Sequence, residues 1–72
     1  MPHIQVHAIK NVFSAEQKRQ AIERLTDALV SIEGEAMRGV TSVTFHEVES
    51  GDWGIGGKAM TTDDVKALQR RR

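Results

Sequence analysis

The sequence predicts a small α+β protein built on one β-α-β unit, and three stretches carry that prediction. Residues 3–9 alternate polar and apolar side chains. Residues 15–33 repeat apolar side chains at three- and four-residue steps, and residues 41–48 alternate again. Period two marks a half-buried strand, and a period near 3.6 marks a helix with one packed face.

In the first strand Ile4, Val6 and Ala8 share one face, while His3, Gln5 and His7 take the other. Ser14 opens the helix as its N-cap, and Gln17 completes a capping-box pattern that satisfies N–H groups left over at the first turn. Glu16 in that turn complements the positive end of the helix dipole. The predicted packing stripe is Ala21, Ile22, Leu25, Ala28, Leu29 and Ile32, with Lys18, Arg19, Glu23, Arg24 and Asp27 off it. Glu23 and Asp27 form a mildly unfavourable like-charge pair four residues apart. Gly34 stops the helix.

In the second strand Val43 and Phe45 share a face opposite Ser42, Thr44 and His46. Two strands joined by a helix pair in parallel. Ser50-Gly51-Asp52 reads as a turn. The segment from Trp53 to Lys58, with three glycines in six residues, reads as a short hairpin or an irregular loop. Thr62-Asp63-Asp64 reads as the cap of a last helix from Val65 to about Arg70, before a fraying end at Arg70-Arg71-Arg72.

Composition removes whole classes of function. The 72 residues contain no cysteine, which excludes disulfides, a thiol nucleophile and zinc–thiolate sites. Ten Lys+Arg balance ten Asp+Glu, which argues against nucleic-acid binding through bulk charge. No apolar run approaches the roughly 20 residues of a membrane-spanning helix. Met1-Pro2-His3 lacks the features of a signal peptide, so a cytoplasmic location is expected. The chain reads as a single domain over residues 1–72, and a domain this small buries only about 60 % of its unfolded surface, so association is expected. Two strands and one helix leave sheet edges bare, and the simplest cover is a four-stranded sheet formed across a dimer.

Pro2 stands out chemically. Methionine is normally removed before a residue as small as proline, which leaves a secondary amine at the chain start. Ordinary α-amino groups titrate at about 7.7–8.0, and proline's amine is intrinsically more basic. Burial or a nearby cation lowers such a value and turns the amine into a base near neutrality. Gly54-Ile55-Gly56-Gly57 matches neither the dinucleotide fingerprint nor the P-loop, so turn geometry is its reading. Trp53, the one tryptophan, suits a core, an interface or a pocket wall. His3 and His7 lie about 13 Å apart along one strand. His46 can reach either across a sheet, and no metal site is expected.

Pro2 after Met1, the strand Ile4-Gln5-Val6-His7, the helix opening Ser14-Ala15-Glu16-Gln17-Lys18, Thr41-Ser42-Val43 at the second strand, and Trp53 before Gly54-Ile55-Gly56-Gly57 together resemble the 4-oxalocrotonate tautomerase family. The likeness spans about residues 2–60. It implies a β-α-β fold with a C-terminal hairpin, paired into a four-stranded sheet and assembled as a homo-hexamer of three dimers. It implies an isomerase with neither cofactor nor metal, in which Pro2 moves a proton between an enol and a distant carbon of a small α-keto acid or aryl enol. Trp53 falls where relatives place a pocket-wall aromatic, and Ser42 falls in the strand segment that borders the substrate.

The departures are informative. Relatives carry an Arg in the loop before the helix, where this chain reads Lys10-Asn11-Val12-Phe13. They carry a second Arg directly after Thr-Ser-Val, where this chain has Thr44. A two-pronged Arg–carboxylate grip is not reproduced by Thr or Val. Arg38 and Lys10 are the nearest replacement cations in sequence. Val12, Phe13 and Trp53 favour a monocarboxylate or an apolar enol over a dicarboxylate. The alternatives are a hydratase or dehalogenase-like activity of the same superfamily using Glu47 or Glu49, a non-catalytic scaffold, and one subunit of a hetero-oligomer. One prediction follows directly: the expressed protein has an intact mass lower by one methionine, and a retained Met1 would exclude Pro2 as a base.

Overall fold

The computed structural model describes residues 1–71. Arg72, the last residue of the expected fraying end, lies outside them. The elements run β1 (His3–Ile9), α1 (Ala15–Glu33), a 3-10 helix (Glu35–Val40), β2 (Ser42–Val48), β3 (Trp53–Ile55), β4 (Lys58–Met60) and α2 (Thr62–Gln69). β1 and β2 are parallel, in the register His3–Ser42, Gln5–Thr44, His7–His46 on one face and Ile4–Val43, Val6–Phe45, Ala8–Glu47 on the other. α1 covers the Ile4, Val6, Val43 and Phe45 face. It is the predicted β-α-β unit.

The predicted cap of α1 forms in full. The Ser14 hydroxyl accepts the Gln17 N–H at 3.1 Å, and the Gln17 side chain accepts the Ser14 N–H at 2.9 Å. Gly34 ends the helix at φ 106°, a conformation that disfavours any Cβ. The packing stripe is narrower and more rotated than the sequence predicts. Ala21, Leu25 and Leu29 are half-buried and Val30 is buried, whereas Ala28 is exposed and Ile32 is 83 % exposed. Ile32 lies in the last turn of α1, two residues before the Gly34 cap. Lys18, expected off the stripe, turns inward to place Nζ 2.7 Å from Glu47 of β2. The Glu23–Asp27 repulsion is offset because Asp27 accepts from Arg38 at 2.8 Å.

Three further details differ, and the glycine-rich segment takes the hairpin form of the two expected. The sheet ladder begins at Ser42 rather than Thr41, whose hydroxyl lies 2.8 Å from the Glu33 carboxylate and holds the helix exit against the strand entry. The segment 35–40, unassigned from sequence, forms a 3-10 helix. The glycine-rich segment is a hairpin: β3 and β4 are antiparallel around Gly56 and Gly57, both at positive φ. α2 starts three residues earlier than expected, because the cap is Thr61. Its hydroxyl accepts the Asp64 N–H, and the Asp64 carboxylate accepts the Thr61 N–H at 2.9 Å.

Among the described residues only Ile9 and Val30 are buried below one-tenth exposure. The chain therefore closes little core by itself. No described helix is long and apolar enough to cross a membrane.

Glu47 pins the loop before α1 to the sheet. One oxygen takes the Lys18 ammonium, and the other accepts the Asn11 N–H at 3.3 Å, where Asn11 sits at φ 69°. The Lys18 hydrogen bond, followed by that N–H, holds the Glu47 carboxyl below the ordinary carboxylate range. A lowered folded-state value stabilises the fold above the unfolded-state value, and that contribution disappears as pH falls through the folded one. Glu47→Gln is therefore expected to lower Tm at pH 7. The deficit should shrink toward zero in thermal melts taken well below pH 4. An unchanged deficit in acid would remove the charge from this account.

Candidate active site

The structure divides the predicted site residues between the two ends of the β1–β2 sheet. Pro2, Ser42, Thr44 and Arg38 lie at the end where β1 begins. The half-buried Pro2 accepts the Ser42 N–H on its carbonyl oxygen at 3.1 Å, which seats it at the head of the ladder. Arg38 lies in the 3-10 helix that leads into the same end of β2. Trp53 and Phe13 lie beyond the other end of β1. At the rise of a strand, the length of β1 separates the two groups by about 20 Å.

At the Pro2 end the side chains of the outer sheet face are linked. Ser42 Oγ lies 2.6 Å from His3 Nδ1. Thr44 Oγ1 lies 2.8 Å from His46 Nε2 and 3.3 Å from His3 Nε2. His46 stacks on His7 at a centroid distance of 4.9 Å. A polar file of Ser42, His3, Thr44, His46 and His7 thus runs along the face opposite α1. Sequence reasoning placed these residues on matching faces but missed their union. Strand alternation gives a residue's face, whereas the pairing register that puts His7 opposite His46 is set by the assembled sheet. Among the described residues no three of His, Asp and Glu converge where they could hold a metal ion.

The two candidate cations are engaged within the chain. Arg38 donates to Glu35 at 2.7 Å and to Asp27 at 2.8 Å. The Glu35 carboxyl is held below its ordinary range by that Arg38 hydrogen bond. Lys10 lies 3.4 Å from Glu49.

At the Trp53 end an open cavity of about 380 Å³ lies between the end of β1, the hairpin and α2. Its walls include Ile9, Val12, Phe13, Trp53, Val65 and Leu68, and His7 is its one titratable side chain. Phe13 is fixed by an edge-to-face contact with Phe45 at 5.7 Å. Volume and lining fall in the range of small-molecule pockets. The sequence hinted at Val12, Phe13 and Trp53 but gave no sign that Val65 and Leu68 of α2 join them.

A β-α-β unit followed by a hairpin and a short helix, with an aromatic-lined cavity at the far end of its first strand, defines a small α+β fold. The family model described as tautomerase enzyme matches residues 2–63, and the chain belongs to that family. A protein of Dickeya dadantii (strain 3937) named "Probable tautomerase K2" is 39 % identical over 61 residues, covering 85 % of this chain and 90 % of its own. The crystal structure of an apo unfused 4-OT superposes with a TM-score of 0.70 at 28 % identity, over 88 % of this chain and 97 % of that one. A 4-oxalocrotonate tautomerase isozyme from Methylibium petroleiphilum gives the same TM-score and identity over 89 % and 97 %. The fold is that of 4-oxalocrotonate tautomerase, and family membership supports an isomerase-type function.

Proposed function

We propose that the chain catalyses enol–keto tautomerisation of a small aryl or alkyl enol bearing at most one carboxylate, with Pro2 as general acid–base. One observation carries the reading: in a tautomerase-family chain, Pro2 follows a fully exposed Met1 and is held at the head of β1 by the Ser42 N–H. Removal of Met1 frees the Pro2 amine beside its fixed carbonyl. As free base the amine takes the enol O–H proton. The enol C=C pair then takes a proton from the prolinium at the distant carbon as the carbonyl forms. Proton and electron pair balance within the substrate, so the step needs no cofactor. Burial of the freed Pro2 amine in the complete site would disfavour its charged form and favour its action as a base.

Pro2 and the Trp53 cavity lie at opposite ends of β1, so the complete site requires a second copy that brings its Trp53 cavity to this chain's Pro2. That requirement fits the thin single-chain core and the proposed dimer sheet and hexamer. Ser42 and Thr44 border the Pro2 end, and Phe13 and Trp53 wall the apolar end. Arg38 and Lys10 remain the candidate cations, and their carboxylate partners argue for a substrate with little negative charge. Of the two carboxylates that a water-activating reading could use, Glu47 is committed to Lys18 and Asn11 on the opposite sheet face, and Glu49 lies 3.4 Å from Lys10.

The test is turnover of phenylenolpyruvate. Pro2→Ala should lower kcat by about 10²–10⁴-fold, the ordinary contribution of a general base. The parent rate should rise with pH through a value below the usual α-amino range of about 7.7–8.0, and the mutant should lose that limb. A flat profile shared by both proteins would end the proposal. Lys10→Ala and Arg38→Ala should each change kcat/KM by less than about fivefold, the scale of an exposed ion pair. A loss of about a hundredfold from either would restore a cationic carboxylate grip.

A further inference from the structure

We propose that α2 is a specificity wall, in which Val65 and Leu68 set the size of the apolar group that the Trp53 cavity accepts. For its link to turnover this rests on the function proposed above, but the cavity itself is a binding claim that stands apart from Pro2.

Three observations lead there. The family match ends at residue 63, and the two 4-OT structures are covered almost completely by less than nine-tenths of this chain. Most of α2 therefore lies outside what those proteins share. Yet Val65, Leu68 and Gln69, all beyond the matched residues, line the same cavity as Trp53, Ile9 and Phe13. α2 is also fixed in place rather than trailing. Its capping box sets the first turn, the Thr62 hydroxyl donates to the Lys10 carbonyl at 2.8 Å, and the Thr62 N–H donates to Ser50 Oγ at 2.9 Å. These bonds tether the helix start to the end of β1 and to the turn before the hairpin. They carry the Val65–Leu68 side over the cavity mouth, where Leu68 stays 51 % exposed as a rim residue.

The chemistry of the lining selects the ligand class. The walls offer apolar contacts and ring faces, with His7 and Gln69 the polar groups among them. A cavity near the lower end of ordinary ligand-pocket volumes suits a single aromatic ring or a short branched alkyl group. A charged group entering it would lose hydration without a counter-charge. The carboxylate or enol end of a substrate would then point outward to the edge of the cavity, where a second copy's Pro2 would meet it.

Trp53 is the one tryptophan of the chain, so its indole N–H resonance reports the cavity directly. Benzyl alcohol and 2-naphthol, one ring and two, would be titrated into the full-length protein while that resonance is followed. The parent should bind benzyl alcohol more tightly than 2-naphthol. Val65→Ala/Leu68→Ala should tighten 2-naphthol by about tenfold and reverse the order, as removal of several wall carbons opens room. Val65→Leu, which retains an apolar helix face, should weaken benzyl alcohol, so a failure of the double variant to fold leaves the idea testable. The order of affinities is read from binding alone and needs no turnover, which separates a failed wall from a failed reaction. Equal affinities in all variants, or a Trp53 resonance that neither alcohol moves because another copy fills the cavity, would overturn the proposal.

Discussion

The parallel pairing of β1 with β2 is the constraint on which the other features rest. Its register places Ile4, Val6, Val43 and Phe45 on one face, and their shared need to leave water fixes α1 above them. The same register sets Ser42, Thr44 and His46 beside His3 and His7 on the other face, where hydroxyls and imidazoles join in one file. A slip of one residue would exchange the faces, putting imidazoles under the helix and valines in water. The Ser42 N–H on the Pro2 carbonyl is the first rung of this ladder, so the placement of the chain start follows from sheet pairing.

Around that pairing the protein uses electrostatics mainly as local fastening. Glu47 joins Lys18 of α1 to the Asn11 loop, and Arg38 joins α1 to the 3-10 helix through Asp27 and Glu35. Half-exposed pairs of this kind contribute little free energy each, because water and salt screen them. Their effect is geometric: they hold the connections at the two ends of the helix. Cations employed this way are not poised for a ligand. That agrees with a cavity lined by apolar side chains.

In the proposed reaction the two ends of the sheet carry different halves of the chemistry. One presents Pro2 beside hydrogen-bonding side chains. The other presents an aromatic cleft, closed in part by a helix most of which lies beyond the family match. The thin core, exposed Ile55 and Leu68, and the distance between Pro2 and Trp53 all have the same origin. A chain this short cannot both bury its apolar surface and enclose a site.

Local rules made much of this protein legible in its sequence. Alternation in residues 3–9 and 41–48 identified both strands. Ser14, Gln17 and Gly34 bounded α1 to the residue, because capping depends on side chains within one turn of the helix. Pro2 and Trp53 announced themselves by position. What only the tertiary structure decided depended on distant segments meeting. Examples are the inward turn of Lys18, the exposure of Ile32 and the His7–His46 stack. The joining of Val65 and Leu68 to a cavity begun by Ile9 and Phe13 belongs with them. These outcomes depend on register and on the path of loops. Both are set by burial and hydrogen bonding across dozens of residues, beyond the few-residue reach of periodicity and capping signals.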